Sequence, residues 1–182
     1  PSKEILDKKI KEEVTSGVQT LQYQINTLMT TNGRSPLVSL FMYLREGDEY
    51  IKENALIIEE ILKQRIEGMK DAEGKYINPE FPKLIYAIDE NNCLNGEKYD
   101  YLTHLALECV NKTQEPSFIS AKKMRENYSG NVFSPMGFRS FLTPWKDENG
   151  TYKFEGRFNQ GIVSINLPQI AIVADGDEDK FF

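Results

Sequence analysis

The sequence predicts an α/β fold in which parallel strands are covered by helices. Three nearly continuous apolar runs, at residues 37–44, 81–88 and 161–167, are typical of strands that are buried on both faces. Amphipathic patterns of helical period, at residues 49–70 and around residues 101–109, separate these runs. The alternation of strands and helices is that of a parallel sheet. Since three buried strands are few for a complete α/β domain, we expect the 182 residues to form part of a larger barrel.

The first helix is predicted from an apolar seam at residues 14–28. Its members are spaced four, three, four and three residues apart, and they are Val14, Val18, Leu21, Ile25 and Leu28. The helix should end near Gly33. The seam covers only about two heptads, which favours a helix packed on a sheet over a coiled coil. The helix at residues 49–70 should end near Gly74, and Ser120 is the expected N-cap of a short helix at residues 120–127.

The character of the sequence changes after Gly130. Proline and glycine within residues 132–142 disfavour a helix there. The turn-forming residues 146–150 lie between aromatic segments and predict a hairpin. Pro168 follows the last apolar run and is expected to open a helix at its first turn.

Composition excludes several classes of function. The 28 acidic and 22 basic residues leave a net charge of −6, which disfavours non-specific binding of nucleic acid. No apolar run reaches the roughly 20 residues needed to cross a bilayer, and no signal peptide is evident, so we expect a cytoplasmic protein without a membrane partner. The acidic residues fall mainly in helical charge runs, which are usually solvated faces.

The residues most often used in metal and thiol chemistry are few. Cys93 and Cys109 are too few for a disulfide framework, and the single histidine, His104, excludes a multi-histidine metal site built from this chain, so no metal is expected. Cys109 falls on the apolar face of a helix and is expected to be a buried structural thiol. Cys93 is expected to be exposed, and His104 to be a surface or packing residue.

Composition and periodicity thus identify an intracellular α/β protein without indicating an activity. Four segments add a resemblance: residues 21–33, 81–86, 135–142 and 156–168. Together, in this order and spacing, they resemble the anaerobic, glycyl-radical ribonucleoside-triphosphate reductase family, over roughly residues 18–182. The last two segments, PMGFRSFL around Phe138 and GRFNQGIVSINLP around Asn159, are the most specific.

The resemblance implies a fold and a chemistry. The fold would be part of the ribonucleotide-reductase barrel of ten strands, with a central finger loop at about residues 131–160. Residues 1–182 would be a single partial catalytic segment without the regulatory cone or the glycyl-radical domain. Such enzymes reduce ribonucleoside triphosphates to deoxyribonucleotides, with formate as the usual reductant. They are homodimers with nucleotide effector sites, and an S-adenosylmethionine iron-sulfur activase installs their glycyl radical. No cofactor is expected within this chain itself.

The resemblance also implies site residues. The family's loop tip reads Met-Gly-Cys-Arg-Ser-Phe-Leu, and its cysteine carries the thiyl radical, but here that position is Phe138. A phenylalanine has no S–H bond, so this chain is expected to be inactive by itself. Asn159 matches an asparagine that faces the substrate ribose, and Ser140 is a further expected substrate contact.

Two functional hypotheses follow, together with a third reading. The chain is either a segment of a reductase in which Phe138 replaces the radical cysteine, or a non-catalytic module that binds nucleotides or an intact reductase. An unrelated α/β domain is the third reading. Because an incomplete barrel exposes strand edges and apolar faces, we expect the isolated chain either to self-associate or to repack.

Overall fold

The computed structural model describes residues 2–29, 31, 33, 36–71, 73–135, 141–157 and 165–181. The chain divides into two compact units, Pro1–Phe141 and Leu142–Phe182. The first unit contains α1 (Lys3–Thr27), β1 (Ser39–Met42), α2 (Ile51–Glu67), β2 (Met69–Lys70), β3 (Tyr76–Ile77), β4 (Lys83–Ile88), α3 (Glu90–Cys93), α4 (Asp100–Thr113), β5 (Ser117–Ser120) and α5 (Ala121–Asn127). The second contains β6 (Trp145–Lys146), β7 (Tyr152–Lys153), α6 (Leu167–Ala174) and α7 (Glu178–Phe181).

The main sheet of the first unit is parallel, as the sequence predicts. Its strand order is β1-β4-β5, with β4 hydrogen-bonded to both neighbours. Met42 lies opposite Tyr86 in one pairing, and Ala87 lies opposite Ile119 in the other. The chain crosses from β1 to β4 through α2, and from β4 to β5 through α4, which is the usual way to connect parallel strands. The mixed α/β class is therefore confirmed.

The core lies between one face of this sheet and the helices. Leu84 and Tyr86 of β4, each no more than 1% exposed, pack in one cluster with residues of α2 and α4. Val18 brings α1 into the same cluster. Because side chains alternate along a strand, Ile85 and Ala87 point to the opposite face, and they too are buried. A strand buried on both faces explains the continuous apolar run from which β4 was predicted.

Polar side chains fix α1 against α2. The Gln22 Nε2 donates to Gln64 Oε1 at 3.2 Å, and Gln64 Nε2 donates to the carbonyl of Thr15 at 3.1 Å. Gln22 is 5% exposed, so this contact lies inside the protein. Buried amides that satisfy each other define the register of the two helices without an uncompensated polar group.

Most helix predictions are confirmed, although their ends differ. The first helix ends at Thr27, before Gly33, and α2 ends at Glu67, before Gly74. Gly68 stops α2 because it adopts φ +85°, which side chains disfavour. Ser120 caps α5 as predicted, since its side chain accepts from the Lys123 backbone N–H at 3.2 Å.

The second unit holds the predicted hairpin and the predicted proline-opened helix. β6 and β7 pair antiparallel, with Trp145 opposite Lys153. Pro168 lies in the first turn of α6. The strand predicted at residues 161–167 falls mainly on residues 161–164, outside the described residues, and its last residue, Leu167, is helical, so that end of the prediction is wrong. Leu167 belongs to the helix because Asn166 caps it, accepting from the Gln169 backbone N–H at 3.1 Å.

Candidate functional site

The residues singled out from the sequence lie outside the described part of the chain. Phe138 and Ser140 belong to residues 136–140, and Asn159 belongs to residues 158–164. The structure describes the residues that neighbour each segment in the chain, which are Pro135 and Phe141 for the first and Arg157 and Ile165 for the second.

Three aromatic rings hold the two ends of the first segment together. Phe133 precedes it and Phe141 follows it, and their ring centroids are 5.5 Å apart. Tyr128 contacts both rings, edge-on to Phe133 at 4.9 Å and tilted against Phe141 at 6.1 Å. Such edge and tilted contacts are favourable aromatic geometries. The described residues on either side of 136–140 therefore meet at a single aromatic cluster.

A cavity of about 970 Å³ adjoins the ends of the same segment. It lies at the amino ends of β4 and β5, and Pro135 and Phe141 form part of its wall. Its volume and its mixture of apolar and polar lining suit a small organic ligand. The lining residues are Arg65, Asn78, Pro79, Glu80, Lys83, Leu84, Ile85, Val110, Thr113, Gln114, Glu115, Pro116, Ser117, Phe118, Ile119, Pro135 and Phe141.

A buried arginine organises the charged side of this cavity. The Arg65 side chain, 3% exposed, donates from Nη1 to Glu115 Oε2 at 3.0 Å and to the carbonyl of Pro79 at 2.9 Å. Its Nη2 donates to the carbonyl of Pro82 at 2.5 Å. Lys83 Nζ lies 3.3 Å from the other oxygen of Glu115. The carboxylate of Glu115 is thus shared by two cations.

The protonation of this cluster follows from its burial. Desolvation lowers the pKa of Arg65, and the nearby carboxylate of Glu115 opposes that effect. A guanidinium remains charged at neutral pH even so. The cavity wall therefore presents two cations, Arg65 and Lys83, and the Glu115 carboxylate that they share. Main-chain carbonyls just before β4 hold the guanidinium of Arg65.

The opposite edge of the sheet carries a smaller, polar pocket of about 390 Å³. It lies after the carboxyl ends of β1 and β4, the edge at which open α/β sheets usually bind ligands. Arg125 donates from Nη2 to Asp89 Oδ1 at 2.7 Å and from Nη1 to the hydroxyl of Tyr43 at 3.2 Å. Asp89 also accepts from the backbone N–H of Glu90 and caps α3.

This second pocket is built around a satisfied structural pair. Burial by itself would raise the pKa of Asp89, but hydrogen bonds from Arg125 and from the Glu90 backbone outweigh it and hold the pKa below its usual value. Asp89 is 6% exposed, so its charge depends on Arg125. The ion pair links α5 to the end of β4. This structural role explains why Asp89 and Arg125 lie together here, without a ligand.

The two thiols are placed as the sequence predicts. Cys109 is buried in the core cluster and Cys93 is exposed, and His104 also is exposed. Burial raises the pKa of Cys109, with a weaker opposing effect from the hydroxyl of Thr113. A buried, protonated thiol is a poor nucleophile. Neither cysteine is among the described residues that line the larger cavity.

In the second unit, Arg157 bridges two parts of the chain. Its Nε donates to the carbonyl of Phe154 at 2.7 Å, and its Nη1 donates to the carbonyl of Leu142 at 2.7 Å. Leu142 is the last residue of the segment 135–142, and Arg157 is the second residue of the segment 156–168. One side chain therefore joins the two segments that were most specific in the sequence.

Sequence reasoning missed Arg65, Glu115 and Arg157. A signal for Arg65 was present, because it lies at helical spacing from Ile58 and Leu62 and so falls on the apolar face of α2. A charged residue on such a face must find partners inside the protein. For Glu115 no local pattern exists, since its partners, Arg65 and Lys83, come from distant parts of the chain.

Comparison with known proteins gives one consistent result. The family model "Anaerobic ribonucleoside-triphosphate reductase" matches residues 3–182. Curated proteins of that name are similar: that of Escherichia coli K12 is 38% identical over 172 residues, and that of Enterobacteria phage T4 is 38% identical over 166 residues. The match to the Salmonella typhimurium LT2 protein is 37% identical over 174 residues. These alignments cover 90% to 94% of this chain, but the chain spans only 23% to 26% of the length of those relatives.

Proposed function

Because the chain belongs to the anaerobic ribonucleoside-triphosphate reductase family, we propose that its 182 residues form part of the catalytic barrel of such an enzyme. The observation that carries this proposal is the family match over residues 3–182. The parallel sheet β1-β4-β5, covered on one face by α2 and α4, supports placing these strands in the ten-stranded barrel. Residues of about 131–160 would then form its finger loop.

Phe138 occupies the position of the radical cysteine in this proposal. Abstraction of a hydrogen atom from ribose requires a carrier whose new bond to hydrogen is about as strong as the bond that breaks, and a thiyl sulfur meets this condition. The phenyl ring of Phe138 has no S–H bond and cannot take that part. The glycyl radical, the S-adenosylmethionine activase and formate belong to the chemistry of the family, but this chain presents no thiol at the loop. Cys93 and Cys109 do not replace it, because the first is exposed at the end of α3 and the second lies in the core cluster. No reductase step is therefore assigned to this chain by itself.

The larger cavity is the proposed site for a ribonucleotide. Its apolar wall suits a base and sugar, and Arg65 and Lys83 supply positive charge beside it. Pro135 and Phe141, on its wall, border the segment that holds Phe138 and Ser140. By the family resemblance, and independently of this cavity, Asn159 and Ser140 are the proposed contacts to the substrate.

Calorimetric titration of the chain with ATP and CTP tests the proposal that it binds ribonucleotides. We expect saturable binding that weakens when Lys83→Gln removes a charge from the cavity wall. Lys122→Gln, a change of the same kind on an exposed helix surface, should leave the affinity unchanged. Absence of binding up to millimolar nucleotide would refute this site.

Restoring the cysteine tests the assignment of Phe138. In a polypeptide that contains the complete catalytic barrel and the glycyl-radical domain, Phe138→Cys should produce deoxyribonucleotide when activase, S-adenosylmethionine and formate are present. The parent with Phe138 should produce none. An active parent, or an inactive Phe138→Cys protein that forms a normal glycyl radical, would show that position 138 is not the thiyl position.

A non-catalytic nucleotide-binding or reductase-interacting module is the second candidate. The observation that favours it is that the cavity and its charged wall persist in a chain that carries phenylalanine at position 138. Nucleotide binding without activity in the Phe138→Cys polypeptide would favour this module over the enzyme.

Self-association is part of the same proposal, since the family's enzymes are homodimers. Ile5, Leu6 and Ile10 of α1 are exposed by 52%, 52% and 36%, which supports a further protein surface on this helix. Sedimentation velocity should detect a species larger than a monomer, and a monomer at high concentration would count against the proposal. Among the residues that the structure describes, no helix has the length and apolar character needed to cross a membrane.

A further inference from the structure

Lys83 and Glu115 meet at the amino ends of two neighbouring strands. In the pairing of β4 with β5, Ile85 lies opposite Ser117, and Lys83 and Glu115 each come two residues earlier in the chain. Because neighbouring strands lie only about 5 Å apart, side chains at such positions can meet. Lys83 Nζ lies 3.3 Å from Glu115 Oε1, and both residues line the cavity of about 970 Å³. The ion pair is therefore part of the wall that a ligand would contact.

The two cations that share Glu115 are held unequally. Arg65 Nη1 lies 3.0 Å from Glu115 Oε2, its side chain is 3% exposed, and its guanidinium also donates to two main-chain carbonyls. The Lys83 side chain is 25% exposed, and its Nζ lies over the ring of Phe81, 5.4 Å from the centroid. An ammonium on a flexible stem turns toward a new partner more easily than a rigid, buried guanidinium does. Lys83 is therefore the cation that can leave Glu115.

The charge balance of the wall favours such an exchange. Among the described lining residues, Arg65 and Lys83 are positive. Glu80 and Glu115 are negative, so the four formal charges sum to zero. An anionic group gains strong attraction from such a wall when a cation turns from its own carboxylate to the ligand. We propose that Glu115 competes with a phosphate of the ligand for the ammonium of Lys83, and that Arg65 keeps Glu115 in place during the exchange. The identity of this ligand as a ribonucleotide rests on the proposed function.

Glu115→Gln tests the competition by the sign of its effect. The change removes the competitor for Lys83, so we expect tripolyphosphate and ATP to bind roughly fivefold more tightly, the equivalent of a partly exposed ion pair. A purely structural role for Glu115 would instead give weaker or unchanged binding. Glu80→Gln is the matched control, because Glu80 is an exposed carboxylate on the same wall, whereas Lys83 pairs with Glu115. Its effect should be small, since salt screens the repulsion of an exposed charge.

Two further variants locate the competition and keep the test valid if Glu115→Gln does not fold. In the Lys83→Gln background, Glu115→Gln should give no gain beyond that of Glu80→Gln, because the contested cation is gone. Glu115→Asp keeps a negative charge near Arg65 but is one methylene shorter, so it holds Lys83 less well. It should bind both probes more tightly than the parent, with a smaller gain than that of Glu115→Gln. Circular dichroism shows which variants are folded.

A measurement on the parent protein needs no substitution at Glu115. Glutamate labelled with carbon-13 at Cδ gives a carboxylate signal for each residue, and the signal of Glu115 is the one that Lys83→Gln shifts most. Saturation with tripolyphosphate should shift that signal in the same direction, because the carboxylate loses the same cation in both cases. The signal of Glu80, identified by its loss in Glu80→Gln, should move less.

The possible outcomes separate this inference from the proposed function. Equal gains in Glu115→Gln and Glu80→Gln, a full gain in the Lys83→Gln background, or an unmoved Glu115 signal at saturation would each overturn the competition. ATP binding that Glu115→Gln and Glu115→Asp fail to tighten would overturn this inference and leave the proposed ribonucleotide site intact. Tripolyphosphate binding with the expected gain, but without ATP binding, would do the reverse. If neither probe binds the parent or any folded variant, both are overturned.

Discussion

Replacing Arg65 by methionine tests how the amino end of the sheet is held. Methionine has a similar length and is apolar, so the packing of the aliphatic part is largely kept. The change removes three hydrogen bonds, to the carbonyls of Pro79 and Pro82 and to Glu115, from a side chain that is 3% exposed. The perturbation is therefore electrostatic more than steric.

The size of the destabilisation by Arg65→Met follows from the polar groups that lose their hydrogen-bond donor. Each buried carbonyl that loses its donor costs about 1–3 kcal/mol. The Glu115 carboxylate keeps its ion pair with Lys83 at 3.3 Å, so it loses only part of its stabilising contacts. Removing the guanidinium also removes its desolvation cost, which offsets part of the destabilisation. The remaining loss of unfolding free energy is about 3–5 kcal/mol, the range for removing one partner of a buried ion pair. A loss of that size is a large fraction of the stability of a typical domain.

Urea unfolding followed by circular dichroism at the helical band measures this loss. We expect a lower midpoint for Arg65→Met with an unchanged slope. Lys122→Met is the matched control, because it breaks a pair with Glu90 in which both side chains are more than half exposed, and its midpoint should equal that of the parent. In the double variant Arg65→Met/Glu115→Gln, part of the loss should return because the carboxylate is gone. A loss below about 1 kcal/mol in Arg65→Met would refute the reasoning that these hydrogen bonds anchor the strand.

Three further changes test the backbone and the acid response of the first unit. Gly68→Ala should destabilise the protein by about 1–3 kcal/mol, since Gly68 has φ +85° and an added Cβ would lie 2.9 Å from the carbonyl oxygen of Ile77. Gly17→Ala, in a helix with open space around it, should instead stabilise the protein by about 0.5–1 kcal/mol. Thermal unfolding of both variants compares the signs of the two effects. The folded pKa of Asp89 is depressed by its contact with Arg125, so its contribution to stability is present above the unfolded pKa of about 4 and is lost as the pH falls through the folded value. Asp89→Asn should therefore flatten the decline of the unfolding free energy below about pH 4, and an unchanged pH profile would contradict this role.

Much of the fold is readable from the sequence because its signals are local. The apolar run of β4 and the helical period of α2 each arise from residues that are close together in the chain. The cap at Ser120 and the turn around Asp147 likewise depend on short-range hydrogen bonds. The predicted ends of the helices were less accurate. The end of α2 at Gly68, for example, depends on a backbone conformation and not on periodicity.

The strand β5 was missed for a physical reason. It is four residues long, with a burial pattern that is mainly exposed, so it lacks the apolar run of a buried strand. It becomes a strand by pairing with β4, where Ile85 lies opposite Ser117. Pairing energy of this kind comes from a distant part of the chain and leaves no local pattern.

The sequence by itself determined the α/β class, the family and the presence of phenylalanine at position 138. It did so through local periodicity and through motifs in which the residues are contiguous. Only the tertiary structure decided that Arg65, Glu115 and Lys83 form one charged cluster, and that Arg157 bridges Leu142 and Phe154. Those contacts join residues that are up to 50 positions apart, and a side chain acquires such partners only when packing brings distant segments together.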